Sequence, residues 1–504
     1  MQETLQRLKA DQKLVFPELA RYCLGPNWSP DDIPQWVTAA VPTPIQPVYD
    51  FTKVDAADMV LLDGFAGTGK TTTINRLVEY INKVDPQIKF GMTAPTNKAV
   101  RILKKYSECK VELKFGTIHS FLGLKEETNW VTGERTFVPD KYARSQVLPI
   151  HRIQVLILDE TSQMKREIFK FLKPYVANGL KIIFMGDDKQ IPPVGEEQSI
   201  PFLPMMRKSN NIYKLSLTEI QRQAADNPIV QYAAAIRDQY ESSRVKFDLG
   251  DKDHNTTGIA IVPKSLETLK PIFTKYFCTN EFKADSDFMK VICWRNSTAK
   301  YFNPVIRKLV FGMDPVPNIM EGEKLIVEHT IFQWNQSDGK WEILYPANEE
   351  LEVFSVRIAD ESVKYKQQSA DGTRFNTVSK KFKIYQACVN VPDGDRNKDQ
   401  TINIIHDDDE VEYNAFIKNF ATLASKCDDP YQRKLYWKAH YDLQKPFANV
   451  GYNYCITAHK AQGSSYVNIM VQEWDIDESR DYKERNRVRY VAITRARKKL
   501  YIVK

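Results

Sequence analysis

The sequence predicts an α/β protein of several domains, built on parallel sheets with crossover helices and interrupted by β-rich segments. Three observations carry this reading. Between residues 59 and 206 short apolar runs alternate with amphipathic stretches. From about 322 to 391 the pattern turns strand-rich, with LEVFSVRI and KFKIYQACVNV. From Tyr452 onward strand-helix-strand character returns in NYCITAHK and VRYVAITRARKKLYIV. A length of 504 residues agrees, since single domains run to roughly 100–200 residues.

Taken in order, residues 1–45 combine a short helix with a Pro/Trp-rich stretch (Pro26, Trp28, Pro30, Pro34, Trp36, Pro42, Pro44) that reads as an appendage or linker. The first α/β series is MVLLDG, TTTINRLVEYINKV, KFGMTAP, NKAVRILKKY, VLILDE and KIIFMGD. Inside it, residues 123–150 carry a Thr132-Gly133 turn between Trp-Val and Arg-Thr-Phe-Val, the mark of a β-hairpin insertion. A second α/β region begins near Asn211, and the strand-rich, barrel-like segment interrupts it. The acidic run Asp407 to Glu410 is expected to be a solvated loop.

Composition bounds the function loosely. A formal charge of +7 and a pI near 8.7 favour a polyanionic partner, but so mild a basicity does not establish one. The seven cysteines, at 23, 109, 278, 293, 388, 427 and 455, form no CxxC pair and no metal spacing, so a reducing, cytoplasmic setting is expected. Runs such as Val155 to Leu158 are far too short to span a bilayer. No heptad or broad apolar stripe calls for a partner copy, and a monomer is expected.

The chemistry is concentrated in a few motifs. Gly64-Phe-Ala-Gly67-Thr68-Gly69-Lys70-Thr71, followed by Thr72, fits the phosphate-binding pattern GxxxxGKT between a strand and a helix. Glycines let backbone N–H groups turn toward phosphates, the helix N-terminus favours negative charge, Lys70 reaches the β and γ phosphates, and Thr71 is a Mg²⁺ ligand. Asp159 and Glu160 follow the buried strand Val155 to Leu158; Asp159 is assigned the metal and Glu160 the attacking water. In GDDKQ (186 to 190), Gln190 is placed to sense a γ-phosphate. ATP with Mg²⁺ is therefore the expected ligand, and hydrolysis the expected reaction. Each acid, amide or histidine alone has an ordinary structural explanation; it is their joint occurrence that points to hydrolysis.

The ordered set GFAGTGKTT, APTNKA (94 to 99), GTIHS (116 to 120), LILDETS (156 to 162), GDDKQIPPV (186 to 194), LTEIQRQ (217 to 223), TAHKAQGSS (457 to 465) and YVAITRAR (490 to 497) resembles the superfamily 1 helicases. Within them it is similar to the phage Dda-type and RecD-like branch, over roughly Gln46 to Lys504. The resemblance implies two RecA-like P-loop lobes, with a β-hairpin insertion in the first and an SH3-like β-rich insertion in the second. The implied boundaries are an N-terminal extension over 1–45, lobe 1A over 46–122 and 151–210, hairpin 1B over 123–150, lobe 2A over 211–321 and 441–504, and insertion 2B over 322–440. It further implies arginine fingers at Arg222 and Arg495, and an adenine-reading glutamine at Gln46. Strand contacts are implied at Thr96, Asn97, Thr117, His119, Thr457, His459, Lys460 and Gln462, with Trp294 and Asn296 as further candidates. Trp130 or Phe137 would be the aromatic of a strand-separating pin. Many members carry a glutamate just after the TAHKAQG glycine, where this chain has Ser464-Ser465.

The implied activity is ATP-dependent movement along single-stranded DNA, 5′ to 3′, with unwinding of partial duplexes. Replication or single-strand-binding proteins are its candidate partners and the cytoplasm, the host's for a phage protein, its place. Two rivals stand beside it: a helicase directed at RNA, since no residue reads a 2′-hydroxyl, and a remodeller that uses ATP only as a switch. A nucleotide kinase leaves TAHKAQG and GTIHS unexplained.

Overall fold

The computed structural model describes residues 8, 10–29, 51–107, 111–129, 132–140, 147–219, 227–247, 258–337, 339–368, 375–391 and 399–504. The first lobe is a six-stranded parallel sheet in the order 114–117, 90–94, 155–158, 181–186, 59–64, 212–217. Strands Met59–Gly64, Phe90–Ala94 and Val155–Leu158 are buried along their whole length, as expected of parallel strands covered on both faces. Helices Lys70–Val84, Asn97–Tyr106 and Arg166–Ala177 follow strands of this sheet. Two cores result, one on each face.

Two expectations are corrected here. Within the N-terminal stretch, the described residues 10–29 are no appendage: helix Ala10–Leu24 sends Val15, Phe16, Leu19, Ala20 and Cys23 into the core that holds Ile74, Leu77, Val78 and Ile81. That spacing puts the apolar residues on one face of a helix, a signal obscured by Pro17 and the polar residues around it. The first lobe also runs on to residue 217, because strand Ile212–Leu217 pairs in parallel with Met59–Gly64. IYKLSL buries Ile212, Leu215 and Leu217 against the sheet.

The second lobe is a five-stranded parallel sheet in the order 455–457, 289–293, 466–472, 496–503, 258–262, with helices Leu266–Phe277, Asn296–Phe311 and Tyr482–Thr494 packed on it. The chain leaves this lobe after Phe311 and returns at Cys455. Between them lies a five-stranded antiparallel sheet, 400–405, 375–390, 350–368, 324–327, 450–452, with a separate hairpin, 331–335 against 340–345. Strand Val450–Tyr452 belongs to this sheet, so the insertion extends past the expected residue 440. At its root Arg307 and Tyr454 of the lobe both bond to fully buried Glu323, at 2.6 and 2.9 Å.

The acidic run is not a loop. Asp407, Asp408, Asp409 and Glu410 form the first turn of helix Asp407–Lys426, capped by His406, whose Nδ1 accepts the Asp408 N–H. Carboxylates there meet the positive end of the helix dipole, which favours them. A second helix, Pro430–Asp442, follows.

The expected hairpin is present as Leu124–Thr128 against Arg135–Pro139. Its turn residue Gly133 has φ +76° and lies against Trp437, while the Tyr441 hydroxyl donates to the Gly133 carbonyl. A projection of the first lobe thus rests its tip on a helix of the insertion.

Candidate nucleotide and nucleic-acid site

GFAGTGKTT, APTNKA, GTIHS, LILDETS, GDDKQIPPV and TAHKAQGSS each lie at the carboxyl edge of a parallel strand, where open α/β sheets bind ligands, whereas YVAITRAR lies in helix Tyr482–Thr494 and the start of the strand after it. The phosphate loop joins Met59–Gly64 to Lys70–Val84. Gly67 and Gly69 take φ of +93° and +80°, comfortable only for glycine. A Cβ on Gly64 would overlap Thr68 Oγ1 and the Leu217 carbonyl. Thr68 is fully buried and donates to the Phe65 carbonyl. Lys70 Nζ lies 2.6 and 2.9 Å from the Gly64 and Phe65 carbonyls. Thr71 and Thr72 stand half-buried in the first turn of the helix.

Asp159 and Glu160 follow the strand next to the helix-bearing pair. Asp159 Oδ1 accepts the Glu160 N–H at 2.9 Å, and Glu160 adopts φ +51°, a strained setting that costs about 1–2 kcal/mol for a residue with a Cβ. The Thr71 hydroxyl and Asp159 carboxylate are hard oxygen donors, the kind Mg²⁺ takes alongside phosphate oxygens and water. In a second acidic group, Asp63, Asp187 and Asp188, one carboxylate oxygen of each lies within 4.8 Å of the others, but Lys214, Arg237 and Lys189 already face it.

The two lobes meet over these groups. Tyr490, in YVAITRAR, donates to Asp187 Oδ2 at 2.6 Å, and Gln462, in TAHKAQG, donates to the Ile191 carbonyl at 3.0 Å. The Arg237 guanidinium stands 3.4 Å from the centre of the Phe65 ring. Gly463 lies against Ala99 and Glu160. Burial pushes the Asp187 carboxyl above the usual range, opposed by Lys70, Arg237 and the Tyr490 hydrogen bond. Gln190 is buried, its N–H donating to the Asp187 carbonyl, while its Oε1 has no hydrogen-bond partner. Arg495 ends helix Tyr482–Thr494 and is buried, its guanidinium on the Val491 and Ser464 carbonyls at 3.0 Å.

Along the same edges lie the candidate strand contacts. Thr96, Thr117 and Thr457 each cap a following helix, accepting N–H groups from Ala99, Ser120 and Lys460, and Asn97 opens its helix half-buried. The His119 ring packs 4.2 Å from Phe137 of the hairpin; burial, aided by Lys165, pulls its pKa down to about 4. Burial lowers His459 as well, against the pull of Glu484. Lys460 pairs with Glu328 of the insertion at 2.6 Å. Trp294 is half-buried on the second core, its backbone N–H held by Asp475, and Asn296 is exposed.

Known proteins share this arrangement. Residues 52–196 match the model of an AAA domain, and residues 452–503 that of a UvrD-like helicase C-terminal domain. An uncharacterised protein of Acanthamoeba polyphaga mimivirus is 26% identical over 90% of this chain and 97% of its own. The ATP-dependent DNA helicase dda of Enterobacteria phage T4 is 25% identical over 88% of this chain and 94% of its own. The ATP-dependent RecD2 DNA helicase of Deinococcus radiodurans is 30% identical over 35% of this chain and 21% of its own. The chain is similar to superfamily 1 helicases of the Dda and RecD type.

Of the helicase residues anticipated from sequence, Gln46, Arg222 and Trp130 lie outside the described residues. Others were missed. Gln12, fully buried in helix Ala10–Leu24, donates to the Thr68 and Gly69 carbonyls at 3.1 and 3.2 Å, bracing the phosphate loop from a segment in which no chemistry was expected. Arg237 and Tyr490 also escaped notice, although Tyr490 stands within a quoted motif; only the folded chain brings them to the phosphate loop and the GDDKQ turn.

Proposed function

We propose that this helicase hydrolyses ATP in the cleft between its two parallel-sheet lobes, both RecA-like, and uses the cycle to move 5′ to 3′ along single-stranded DNA and separate partial duplexes. The observation that carries the reading is the meeting of motifs across the cleft. Tyr490 of the second lobe bonds Asp187 and Gln462 bonds the Ile191 carbonyl, both in GDDKQIPPV of the first, and Gly463 is placed near Glu160.

In this reading Lys70 and the loop N–H groups bind the phosphates, and Thr71 and Asp159 would hold Mg²⁺, which supplies charge neutralisation on them. Glu160 takes the proton of the attacking water. Gln190, whose side-chain NH2 can donate to a phosphate oxygen, registers whether a γ-phosphate is present. Arg495, with Arg222 from LTEIQRQ, answers negative charge from the second lobe, the planar guanidinium suiting phosphate. Closure and opening then act on one strand gripped at Thr96, Asn97, Thr117 and His119 by one lobe and at Thr457, His459, Lys460, Gln462, Trp294 and Asn296 by the other. Phe137 sits on the hairpin that would split the duplex, with the SH3-like insertion behind it, and Trp130 is the alternative pin aromatic. The relative dda, named an ATP-dependent DNA helicase, supports DNA over RNA.

The test is unwinding of a fluorescent partial duplex bearing either a 5′ or a 3′ single-stranded tail, with ATP and Mg²⁺. The 5′-tailed DNA alone should open, and Lys70→Ala should abolish opening. Strand-stimulated ATP hydrolysis without opening of either DNA would sink the unwinding claim.

A further inference from the structure

The Lys460 side chain turns to the insertion. Its Nζ lies 2.6 Å from both carboxylate oxygens of Glu328, one residue beyond strand Lys324–Val327. The side chains are 20% and 36% exposed, so the pair stands at accessible surface. The Glu328 N–H donates to the Asn449 carbonyl at 3.0 Å, and Gly451 pairs with Ile326 in the adjoining ladder. The glycine leaves room for the carboxylate, since a Cβ on Gly451 would overlap Glu328 Oε1. Its backbone is not in the left-handed region, so conformation alone does not ask for glycine.

A carboxylate held on a lysine by two oxygens offers the contact that a backbone phosphate would make. We propose that Glu328 is a built-in competitor of nucleic acid at Lys460. The carboxylate occupies the phosphate position when no strand is bound, and an incoming phosphate must displace it. Glu328 thereby weakens the second lobe's grip and makes it easier to release, which a motor that re-grips at every cycle requires. The inference rests on Lys460 being a backbone contact.

Equilibrium binding of fluorescent oligothymidylate by the full chain across a sodium chloride series tests both. Glu328→Gln keeps the shape and removes the charge; it should bind about fivefold more tightly at low salt. The slope of log affinity against log salt should steepen by about 0.7, the counterion contribution of one newly available lysine on single strands. Gly451→Ala pushes the carboxylate aside without removing it and should give the same tightening. Lys460→Ala should weaken binding. Unchanged affinity and slope in Glu328→Gln, with Lys460→Ala still weakened, would overturn the competitor and leave the Lys460 contact standing. Tightening in Glu328→Gln but not in Gly451→Ala would assign the effect to net charge and equally overturn it. Wild-type binding by Lys460→Ala would remove the contact and the competitor together.

Discussion

At the scale of single residues, two side chains on opposite sides of the phosphate loop make separable demands. Gln12 donates twice to loop carbonyls from a fully buried position. Gln12→Ala leaves those carbonyls short of a partner, at about 1–3 kcal/mol, so the KM for ATP should rise about tenfold while the hydrolytic rate at saturation changes little. Glu160 has the opposite profile. Held at φ +51° beside Asp159 and Gly463, it is assigned to the attacking water and not to the phosphates, so Glu160→Gln should retain nucleotide affinity and lose at least about a hundredfold in turnover. Steady-state ATPase assays with a fluorescent-nucleotide titration check both. A Glu160→Gln variant that also lost nucleotide binding would remove glutamate from the role of base.

At the scale of elements, the decisive contact is the hairpin tip on helix Pro430–Asp442. Gly133 combines a left-handed φ with the face of Trp437, so Gly133→Val meets backbone strain and a steric clash together. DNA-stimulated ATP hydrolysis should stay within about twofold of wild type, because the tip is outside the cleft. Unwinding should fall about tenfold or more, since a misplaced side chain near a reacting junction commonly costs that much. A coupled assay of ATP consumed per base pair opened reads the difference.

What was legible at this scale depended on how local the signal was. The hairpin announced itself through Thr132-Gly133, and the phosphate loop through its glycines, because their backbone geometry is written in residue type. The helix at Ala10–Leu24 and the start of Asp407–Lys426 were misjudged. Their apolar faces are partial, and what stabilises them is a neighbouring core or a helix dipole that the local sequence does not display. The lobe boundary near 211 was misplaced for the same reason: IYKLSL reads as a strand in either lobe, and only parallel pairing with Met59–Gly64 assigns it.

At the scale of the whole molecule, lobe 1, lobe 2 and the insertion converge on a group of buried ions. Lys98 of APTNKA lies 2.5 Å from Glu350 of the insertion and 4.0 Å from Asp287 of lobe 2, and Arg101 pairs with Glu349. Burial alone would raise the Glu350 carboxyl, but Lys98 and Lys290 outweigh it and hold the pKa near 2. Burial in turn draws Lys290 down to about 8. A carboxylate depressed in the folded state stabilises above its unfolded pKa, so its contribution should fade as pH drops from about 4.5 toward 2. At neutral pH, Glu350→Gln strands two buried cations and should cost about 3 kcal/mol, read as a lower midpoint in chemical denaturation. Replacing Lys98 by methionine in the same chain should recover part of that loss. None of this cluster was visible in sequence, where Lys98 and Glu350 stand far apart. The first lobe's cleft chemistry was visible because its motifs each follow a short apolar strand.

The contact at Gly133 has a mechanical meaning. In the proposed cycle the hairpin would move with lobe 1, whereas the insertion that carries the helix beneath its tip is joined at its root, through Glu323, to Arg307 and Tyr454 of lobe 2. Wedge and anvil therefore belong to different moving parts, and the seat between Gly133, Trp437 and Tyr441 is where play in the machine would collect. In the proposed mechanism a tight seat would convert each stroke into an opened base pair. A loose one introduces backlash, in which the engine advances and the wedge lags behind it.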